Sequence, residues 1–253
     1  MKRIDLNCDM GELLQAIADG TQEALMPSFT SVNVACGGHA GDAQTMQTTI
    51  EQALRGKLAI GAHPGYPDRA NFGRVELSLS PEAIADSVYH QVQALAEIAA
   101  RNGVFLTHVK PHGALYNQSV HNRQLANAIA KGVARWKTDI VLVGLAGSPM
   151  LDVFRQVGFP VAAEAFADRR YEPDGTLRSR KHEDALIHDP AEAGRQALTI
   201  VERGLVRAYD GSEVAVSAQT ICIHGDTPGA LQIAVAVAQA LRQAGVQLAP
   251  LSP

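Results

Sequence analysis

Long hydrophobic runs are missing from the sequence, since no stretch approaches the roughly 18 uninterrupted apolar residues that a membrane-spanning helix needs. The first residues, MKRIDLNCDMGE, include basic side chains but not the apolar segment of a signal peptide. Excess positive charge is also missing, because the formal net charge is -4 and lysine and arginine form no dense cluster. This balance argues against nucleic acid or an anionic membrane as a partner. We expect a cytoplasmic protein that binds small molecules or other proteins.

Cysteine is rare, and no nucleotide-binding loop is present. Cys8, Cys36 and Cys222 are odd in number, far apart and without C-x-x-C spacing, which indicates reduced thiols rather than a disulfide scaffold or a zinc cluster. A buried structural thiol is favoured for each, and a catalytic cysteine is the alternative. The sequence has no G-x-x-x-x-G-K-S/T loop and no strand-linked G-x-G-x-x-G. It therefore carries no recognisable signature of nucleotide binding.

What the sequence does contain is a repeated alternation of strand-like and helix-like segments. Its 253 residues are 46% hydrophobic and 19% charged, which is typical of a globular protein, and we expect one domain over residues 1–253. Short β-like runs predict seven strands at 3–9, 31–36, 59–63, 104–110, 139–145, 160–167 and 219–224. Helical periodicity is clearest over 80–101, 121–136 and 227–243. This order predicts an α/β fold with parallel strands.

Several of the predicted strands alternate polar and apolar side chains, whereas parallel strands covered on both faces are normally apolar throughout. In RIDLNCD, for example, Asp5, Asn7 and Asp9 share one face of the strand. Most of the polar residues also fall late in their strands. We therefore predict a TIM-like (β/α) barrel with a polar inner face at its C-terminal mouth. Seven units indicate a seven-stranded barrel or an eight-stranded one with a missed unit, and a doubly wound open sheet is the alternative.

The ends of the first three predicted strands carry a set of polar residues that fits a metal or a general base. Asn7, Asp9 and Glu12 close the first strand, although Asp9 could simply cap the helix that follows. His39, after Gly37-Gly38, and His63 occupy matching positions after the next two strands. A lone histidine is more often structural. Two histidines with Asp9 form a common set of metal ligands, so the sequence predicts a divalent metal bound by Asp9, His39 and His63.

The later strands add cationic and acid-base candidates. Lys110 and His112 share an orientation, so each could lower the pKa of the other, while the alternative is a lysine paired with Glu164 or Asp5 for structural reasons. Arg169 is suited to grip a carboxylate. It begins a long polar segment, to about residue 190, which is typical of a lid or an interface loop. His224 ends the last strand on its polar face, whereas four other histidines are expected at the surface: His90, His121, His182 and His188.

Six stretches in unchanged order resemble the LamB/YcsF family: DLNCDMGE, SVNVACGGHAGD, GAHPGYPDR with NFGR, HVKPHGALYN, FADRRY and IHGDTPGA. The resemblance implies a seven-stranded barrel of the glycoside hydrolase/deacetylase type. It also implies hydrolysis of 5-oxo-L-proline (pyroglutamate) to L-glutamate, with ATP as cosubstrate of a complex that includes separate 5-oxoprolinase B and C subunits. In that arrangement the partners carry the ATP-dependent activation of the lactam, and this chain opens the activated ring.

The resemblance and the residue patterns together give a mechanistic hypothesis. Predicted catalytic residues are Asp9, His39, His63, Lys110, His112 and His224, and predicted substrate-binding residues are Asn7, Glu12, Tyr116, Asp168 and Arg169. Arg169 or Lys110 would hold the substrate carboxylate, and Asp9 with His39 and His63 would position or deprotonate water, with or without a metal. His112 or His224 would protonate the leaving nitrogen.

Two other functions stay open at the level of sequence. One is a stand-alone, metal-dependent deacetylase that needs no ATP, and the other is a noncatalytic subunit that presents a small acid to its partners. The chain also departs from the family pattern at two loops. Val75 follows FGR where a second arginine is common, and SRKHEDALI replaces a Gly-Ala-containing turn. These departures bear on fine substrate contacts rather than on the reaction.

Overall fold

The computed structural model describes residues 2–251, in which ten strands and nine α-helices are found. The strands are β1 (Arg3–Met10), β2 (Ser31–Ala35), β3 (Ala59–His63), β4 (His108–Val109), β5 (Val141–Leu145), β6 (Val161–Phe166), β7 (Leu205–Arg207), β8 (Glu213–Ala215), β9 (Thr220–Cys222) and β10 (Gln247–Leu248). The helices are α1 (Leu14–Ala18), α2 (Thr21–Leu25), α3 (Ala43–Arg55), α4 (Pro81–Arg101), α5 (Gly113–Ser119), α6 (Arg123–Ala134), α7 (Pro149–Val157), α8 (Pro190–Arg203) and α9 (Ala230–Gln243). Within this range, no helix has both the length and the hydrophobicity to span a lipid bilayer.

Seven parallel strands close into a barrel in the order β1, β2, β3, β4, β5, β6 and β9. The closure rests on β1, which pairs with β2 along one edge and with β9 along the other. The predicted seven-stranded barrel is therefore confirmed, and the pairing rules out the open sheet and the eight-stranded barrel. β10 pairs with the first residues of β1 outside the ring, and β7 and β8 form a separate antiparallel hairpin.

The strand predictions hold within a few residues except at the fourth strand. That strand was predicted over 104–110, but only His108–Val109 is strand. Single hydrogen bonds continue the pairing on each side, from Thr107 N–H to the carbonyl of Ile60 and from Lys110 N–H to the carbonyl of Ala62, both at 2.9 Å. Beyond Pro111, which has no N–H to donate, the amide of His112 bonds the carbonyl of Pro64 at 2.8 Å, so the two chains stay paired by single hydrogen bonds outside the regular strand.

Local capping explains where the helices begin. Asp42 accepts a hydrogen bond from the amide of Thr45 at 2.8 Å, and the Thr45 hydroxyl accepts one from the Asp42 amide, which together form a capping box for α3. Ser80 caps α4 by accepting a hydrogen bond from the amide of Ala83, and Pro81 takes the first helical position. The helix predicted over 227–243 begins later, at Ala230, because Gly229 takes a left-handed conformation with φ of 79°.

The predicted division of side chains between the two faces of the barrel is confirmed. Along β1 the apolar residues pack outward into the hydrophobic core, and the polar residues form the interior. Asp5 lies low in the barrel, where it accepts hydrogen bonds from the hydroxyls of Thr30 at 2.6 Å and Ser31 at 2.9 Å. Such hydroxyl donors allow a carboxyl group to be buried, because every buried polar atom needs a partner. The interior is thus a packed polar layer that leads up to the mouth.

Candidate active site

A cavity of about 700 Å³ opens at the carboxyl ends of the barrel strands. Eight of the predicted site residues line it: Asp9, Glu12, His63, Lys110, His112, Tyr116, Arg169 and His224. The other three, Asn7, His39 and Asp168, are buried behind this lining and contact residues in it. The structure therefore brings all eleven predicted residues to one site. The three cysteines are buried and form no disulfide, as expected.

Lys110 occupies the centre of the barrel beneath the cavity. Its Nζ lies 3.0 Å from Asp9 Oδ1, 3.0 Å from Glu164 Oε1 and 3.1 Å from Cys222 Sγ. Burial alone would lower the pKa of Lys110, but the negative charges of Asp9 and Glu164 outweigh it and raise the pKa well above its ordinary value. The expectation that Lys110 and His112 lower each other's pKa is wrong for Lys110, and the alternative of a lysine paired with Glu164 is confirmed.

Asp9 links the lysine to the histidines. Its Oδ1 accepts hydrogen bonds from Lys110 Nζ at 3.0 Å and from Asn33 Nδ2 at 2.8 Å, and its Oδ2 lies 3.2 Å from His63 Nε2. Burial would raise the pKa of Asp9, but the charges of His63 and Lys110 hold it well below its ordinary value. Asp9 belongs to β1 and does not cap a helix, since α1 begins at Leu14, so the capping alternative was wrong.

Three histidines and Glu12 form a compact cluster on one side of the cavity. Glu12 Oε1 lies 2.8 Å from His39 Nε2 and 3.2 Å from His112 Nδ1. His112 Nδ1 lies 2.9 Å from His63 Nε2. The rings of His39 and His112 stack with centroids 3.6 Å apart and an angle of 4° between their planes. Four residues from four separate loops or strand ends therefore converge on one small volume.

The protonation of this cluster is set by burial and by backbone acceptors. Burial lowers the pKa of His39 to about 4, although the carboxylate of Glu12 acts in the opposite direction. Burial also lowers the pKa of His112. His63 Nδ1–H donates to the carbonyl of Lys110 at 2.7 Å, and His112 Nε2–H donates to the carbonyl of Phe72 at 2.9 Å. Because a carbonyl can only accept, each of these two rings carries a proton on the nitrogen that points away from the cluster.

Glycines provide the space in which His39 sits. Gly37 has φ of 104°, a conformation that L side chains rarely adopt, and it turns the chain after β2. A Cβ on Gly38 would lie 2.3 Å from Oε1 of Gln91 and 2.7 Å from the carbonyl oxygen of Gly65. Gln91 reaches from α4 and bonds both backbone groups of Gly65, donating to its carbonyl at 2.8 Å and accepting from its amide at 3.0 Å. The loop after β3 is thereby held against His39.

Arg169, Asp168 and His224 form the opposite side of the site. The buried carboxylate of Asp168 accepts hydrogen bonds from the His224 amide at 2.9 Å and from its ring Nδ1 at 3.0 Å. Burial would raise the pKa of Asp168, but the charge and hydrogen bonds of His224 lower it overall. Arg169 donates from Nη2 to the carbonyl of Arg178 at 2.6 Å, and its buried Nε has no protein partner within residues 2–251. Burial lowers the pKa of Arg169 to about 10, so it remains a cation at neutral pH.

The rim of the cavity contains both departures from the family pattern. Val75 lines the cavity and is exposed, and Arg180 from SRKHEDALI lies 3.4 Å from Asp226, which also pairs with Arg74. The long polar segment after β6 thus closes one side of the cavity. The four histidines expected at the surface are exposed, as predicted: His90, His121, His182 and His188.

Two contributors to the site were missed. Asn33 in β2 joins Asp9 to Asn7, with its Nδ2 at 2.8 Å and 2.7 Å from their respective side-chain oxygens. A polar residue within the apolar run VNVA was a usable signal for it. Gln91 lies in the middle of a long helix, and no pattern in the sequence distinguishes it from an ordinary surface glutamine.

The fold and the site together define a seven-stranded (β/α) barrel of the glycoside hydrolase/deacetylase type, with a polar cavity at its C-terminal mouth. The model of the LamB/YcsF family matches residues 4–253, so the chain belongs to this family. The 5-oxoprolinase A subunit of Chloroflexus aggregans is 50% identical to it over 97% of this chain and 98% of the relative.

Solved structures agree with this assignment. The lactam utilization protein from Thermus thermophilus superposes with a TM-score of 0.92 at 42% identity, over 98% of this chain and 100% of that one. A family 4 carbohydrate esterase from Streptomyces lividans gives a TM-score of 0.52 at 12% identity, over 100% and 94% of the two chains. The second likeness concerns the fold alone.

Proposed function

We propose that this chain is the A subunit of an ATP-dependent 5-oxoprolinase and that it carries the hydrolytic opening of 5-oxo-L-proline to L-glutamate. Family membership and the name of the Chloroflexus aggregans relative support the proposal. One observation carries the proposal: Asp9, His63 and Arg169 line the same cavity. The carboxylate of Asp9 lies beside the ring of His63, and Arg169 is a buried cation. A small carboxylic acid that must be hydrolysed needs such an anchor and such a base in one place.

Arg169 is the proposed anchor for the substrate carboxylate. Its Nε is buried without a protein partner within the described residues, and a buried donor of this kind is costly unless a ligand satisfies it. Lys110 was the other candidate for this role. Its ammonium is already surrounded by Asp9, Glu164 and Cys222 at 3.0 to 3.1 Å, so in the proposal it fixes Asp9 instead of gripping the substrate.

Asp9 is the proposed acceptor of the proton from the attacking water. Its Oδ1 is committed to Lys110 and Asn33, which leaves Oδ2, beside His63, as the oxygen that can accept. Attack of the water oxygen on the lactam carbonyl carbon forms the new C–O bond. Cleavage of the ring C–N bond then requires a proton for the nitrogen, which becomes the amine of glutamate.

His224 is the proposed donor of that proton. Its Nδ1–H donates to the carboxylate of Asp168 at 3.0 Å, which leaves Nε2 as the ring nitrogen that can pass a proton to the substrate. His112 was the other candidate, but both of its ring nitrogens are engaged, one beside His63 and one with the carbonyl of Phe72. Asp168 was predicted to bind substrate. In the proposal it orients His224, because its carboxylate is wholly buried against that residue.

ATP enters the proposal through partner subunits. An amide carbonyl is a poor electrophile, and in the proposal the γ-phosphoryl group of ATP is transferred to the lactam oxygen, with ADP as the leaving group. Attack of water and cleavage of the C–N bond then give an acyl phosphate, which a second water hydrolyses to glutamate and phosphate. The sequence of this chain carries no recognisable phosphate-binding loop. In the proposal the B and C subunits carry the ATP-dependent step, and the complex works in the cytoplasm.

The experiment that tests the proposal measures glutamate release from 5-oxoproline. Samples contain this chain alone, the B and C subunits alone, or all three, each with and without ATP. The proposal requires glutamate only from the complete mixture with ATP. Glutamate from the mixture without this chain would refute it. Deacetylation of an N-acetyl sugar by this chain alone, without ATP, would replace it with the deacetylase alternative.

A further inference from the structure

We infer that Glu12, His39, His63 and His112 form a binding site for one divalent transition-metal ion, with zinc as the ion whose ligand preferences the set fits best. The inference concerns the chain on its own and does not depend on the proposed function. It differs from the set predicted from the sequence, because it keeps His39 and His63 but replaces Asp9 with Glu12 and His112. Imidazole nitrogens and a carboxylate oxygen are the ordinary ligands of zinc in proteins.

The spacing of the donor atoms is the first argument. Zinc bonds of about 2.0 to 2.1 Å in a tetrahedron place the ligand atoms about 3.3 Å from one another. In the cluster, Glu12 Oε1 lies 2.8 Å from His39 Nε2, 3.2 Å from His112 Nδ1 and 3.8 Å from His63 Nε2. The distance from His63 Nε2 to His112 Nδ1 is 2.9 Å, and all four donor atoms lie within 4.8 Å of one another. The four atoms therefore occupy roughly the corners of a metal coordination shell.

The second argument comes from the hydrogen positions. His63 and His112 each donate their outward N–H to a backbone carbonyl, at 2.7 Å and 2.9 Å. In neutral rings the inward nitrogens are then bare lone pairs, which face each other and the carboxylate of Glu12. A single shared proton can bridge only one of these contacts. A divalent cation accepts a lone pair from all four residues at once and removes the repulsion among them.

The surroundings match those of metal-binding histidines. Such histidines normally donate their second N–H to a carbonyl or a carboxylate, which fixes the tautomer and the orientation of the ring. The carbonyls of Lys110 and Phe72 provide this for two of the three rings. His39 is held by packing, since a Cβ on Gly65 would lie 2.6 Å from its Nδ1. The donors are thus positioned by the protein before any ion binds.

Asp9 stands outside the group of four. Its Oδ1 is paired with the ammonium of Lys110 at 3.0 Å, and its Oδ2 lies beside His63 at 3.2 Å. Asp9 therefore provides a matched control, because it is a partly buried carboxylate next to the same His63. The two candidate sets make opposite predictions for Asp9→Asn and His112→Gln.

The test measures metal content and affinity with the purified full chain. The protein is stripped with a chelator, dialysed against limiting Zn²⁺ or Co²⁺, and analysed by elemental mass spectrometry. The inferred site requires one ion per chain, and the cobalt form should show the intense visible absorption of a four-coordinate N/O site. His112→Gln and Glu12→Gln should each weaken Zn²⁺ binding by more than about 100-fold, whereas Asp9→Asn, which changes a neighbour of His63 and not a ligand, should weaken it by about tenfold.

Folding of each variant is checked by circular dichroism and thermal melting without metal. Zn²⁺ should raise the melting temperature of the wild type and of Asp9→Asn but not that of His112→Gln. Wild-type protein that is folded and yet binds no stoichiometric metal would overturn the inference. A loss of Zn²⁺ affinity in Asp9→Asn as large as that in His112→Gln would also overturn the inference, because Asp9 would then be a ligand, as the sequence predicted. Metal binding needs neither ATP nor partner subunits, so its outcome is independent of the 5-oxoprolinase assay.

Discussion

Lys110 and Glu164 form an ion pair inside the barrel, with 3.0 Å between Nζ and Oε1 and with 3% and 0% of their side chains exposed. Asp9 Oδ1 lies at the same distance from Nζ. One ammonium therefore pairs with two carboxylates, of which Glu164 is buried and Asp9 is partly buried. A buried ion pair is weak evidence for stability, because the cost of removing both charges from water can exceed their attraction. Its value here lies in fixing the position of Asp9 below the cavity.

Replacing Lys110 should destabilise the fold strongly. Lys110→Met leaves Asp9 and Glu164 as buried carboxylates without a counter-ion, and breaking a buried pair from one side costs about 3 to 5 kcal/mol. Urea unfolding of the variant should show a loss of this size. The double variant Lys110→Met, Glu164→Gln should recover part of it, because one uncompensated charge is removed. A double variant no more stable than the single one would show that the charges are not the cause.

Asp168 should stabilise the protein in a pH-dependent way. Asp168→Asn removes the charge that binds His224, and hydrogen bonds to a charged group contribute about 1.5 to 3 kcal/mol. Since the pKa of Asp168 is lowered below its ordinary value of 3.8, its stabilisation is fully present above that value and is lost as the pH falls through the lower pKa of the folded state. The stability difference from wild type should be present at about pH 5 and should shrink as the pH falls below the ordinary pKa of an aspartate.

The measurement is urea unfolding of wild type and Asp168→Asn at several pH values from about 7 to about 3.5. Acid effects of groups that do not contact Asp168 occur in both proteins and cancel in the difference, and a third variant, His224→Gln, isolates the contribution of its partner. Asp174 supplies a control, since it is an exposed carboxylate in a turn with Thr176 and Asp174→Asn should change stability little at any pH. A difference for Asp168→Asn that grew on acidification would contradict the direction assigned to its pKa.

Arg169 should act on substrate binding more than on turnover. Arg169→Lys keeps a positive charge but loses the planar pair of donors, so KM for 5-oxoproline should rise by about tenfold or more while kcat changes less. The steady-state rate of glutamate release by the complete complex provides both constants. Arg195→Lys serves as the control, because Arg195 is an exposed residue of α8 outside this cavity. An equal loss in kcat and kcat/KM would mean that Arg169 acts in the transition state instead.

Gly38 should be required for the position of His39. Gly38→Ala introduces a Cβ that meets Gln91 and the backbone of Gly65, and such overpacking costs about 1 to 3 kcal/mol. The displaced loop should also lower the activity per folded molecule. Gly103→Ala is the matched control, since Gly103 has φ of 74° with nothing within 4 Å of an added Cβ. It should lose comparable stability but retain activity, and a parallel loss of activity would argue against a specific role for Gly38.

Much of the fold could be predicted because the alternation of polar and apolar residues indicates which side chains are buried. The alternation of Asp5, Asn7 and Asp9 with apolar residues showed a polar barrel interior, and the order of strands and helices showed parallel pairing. The sequence left three arrangements open: a seven-stranded barrel, an eight-stranded barrel and an open sheet. Closure between β1 and β9 could not be predicted, because one sequence does not show which strands lie next to each other.

The residues of the site were easier to predict than the contacts that their side chains make with one another. Most of the eleven site residues lie in the barrel strands or in the loops that follow them, where a barrel places its chemistry, whereas Tyr116 lies in α5. Lys110 was harder, because its partners Asp9 and Glu164 are far away in the chain and only the folded barrel brings their charges together. No feature of the sequence indicated that Gln91 belongs to the site. Its role depends on a close approach between α4 and the loop after β3, with Gly38 beside them, where a Cβ would meet the Gln91 side chain.

The central claim is that hydrolysis takes place in this chain, and Asp9 gives the most direct test. Complexes with wild-type chain and with Asp9→Asn are compared for glutamate release from 5-oxoproline with ATP, after circular dichroism has established equal folding and equal assembly with the B and C subunits. The account predicts that kcat falls by about 10² to 10⁴ in Asp9→Asn, with KM little changed. Wild-type turnover in the Asp9→Asn complex would contradict it and assign the chemistry to one of the partners.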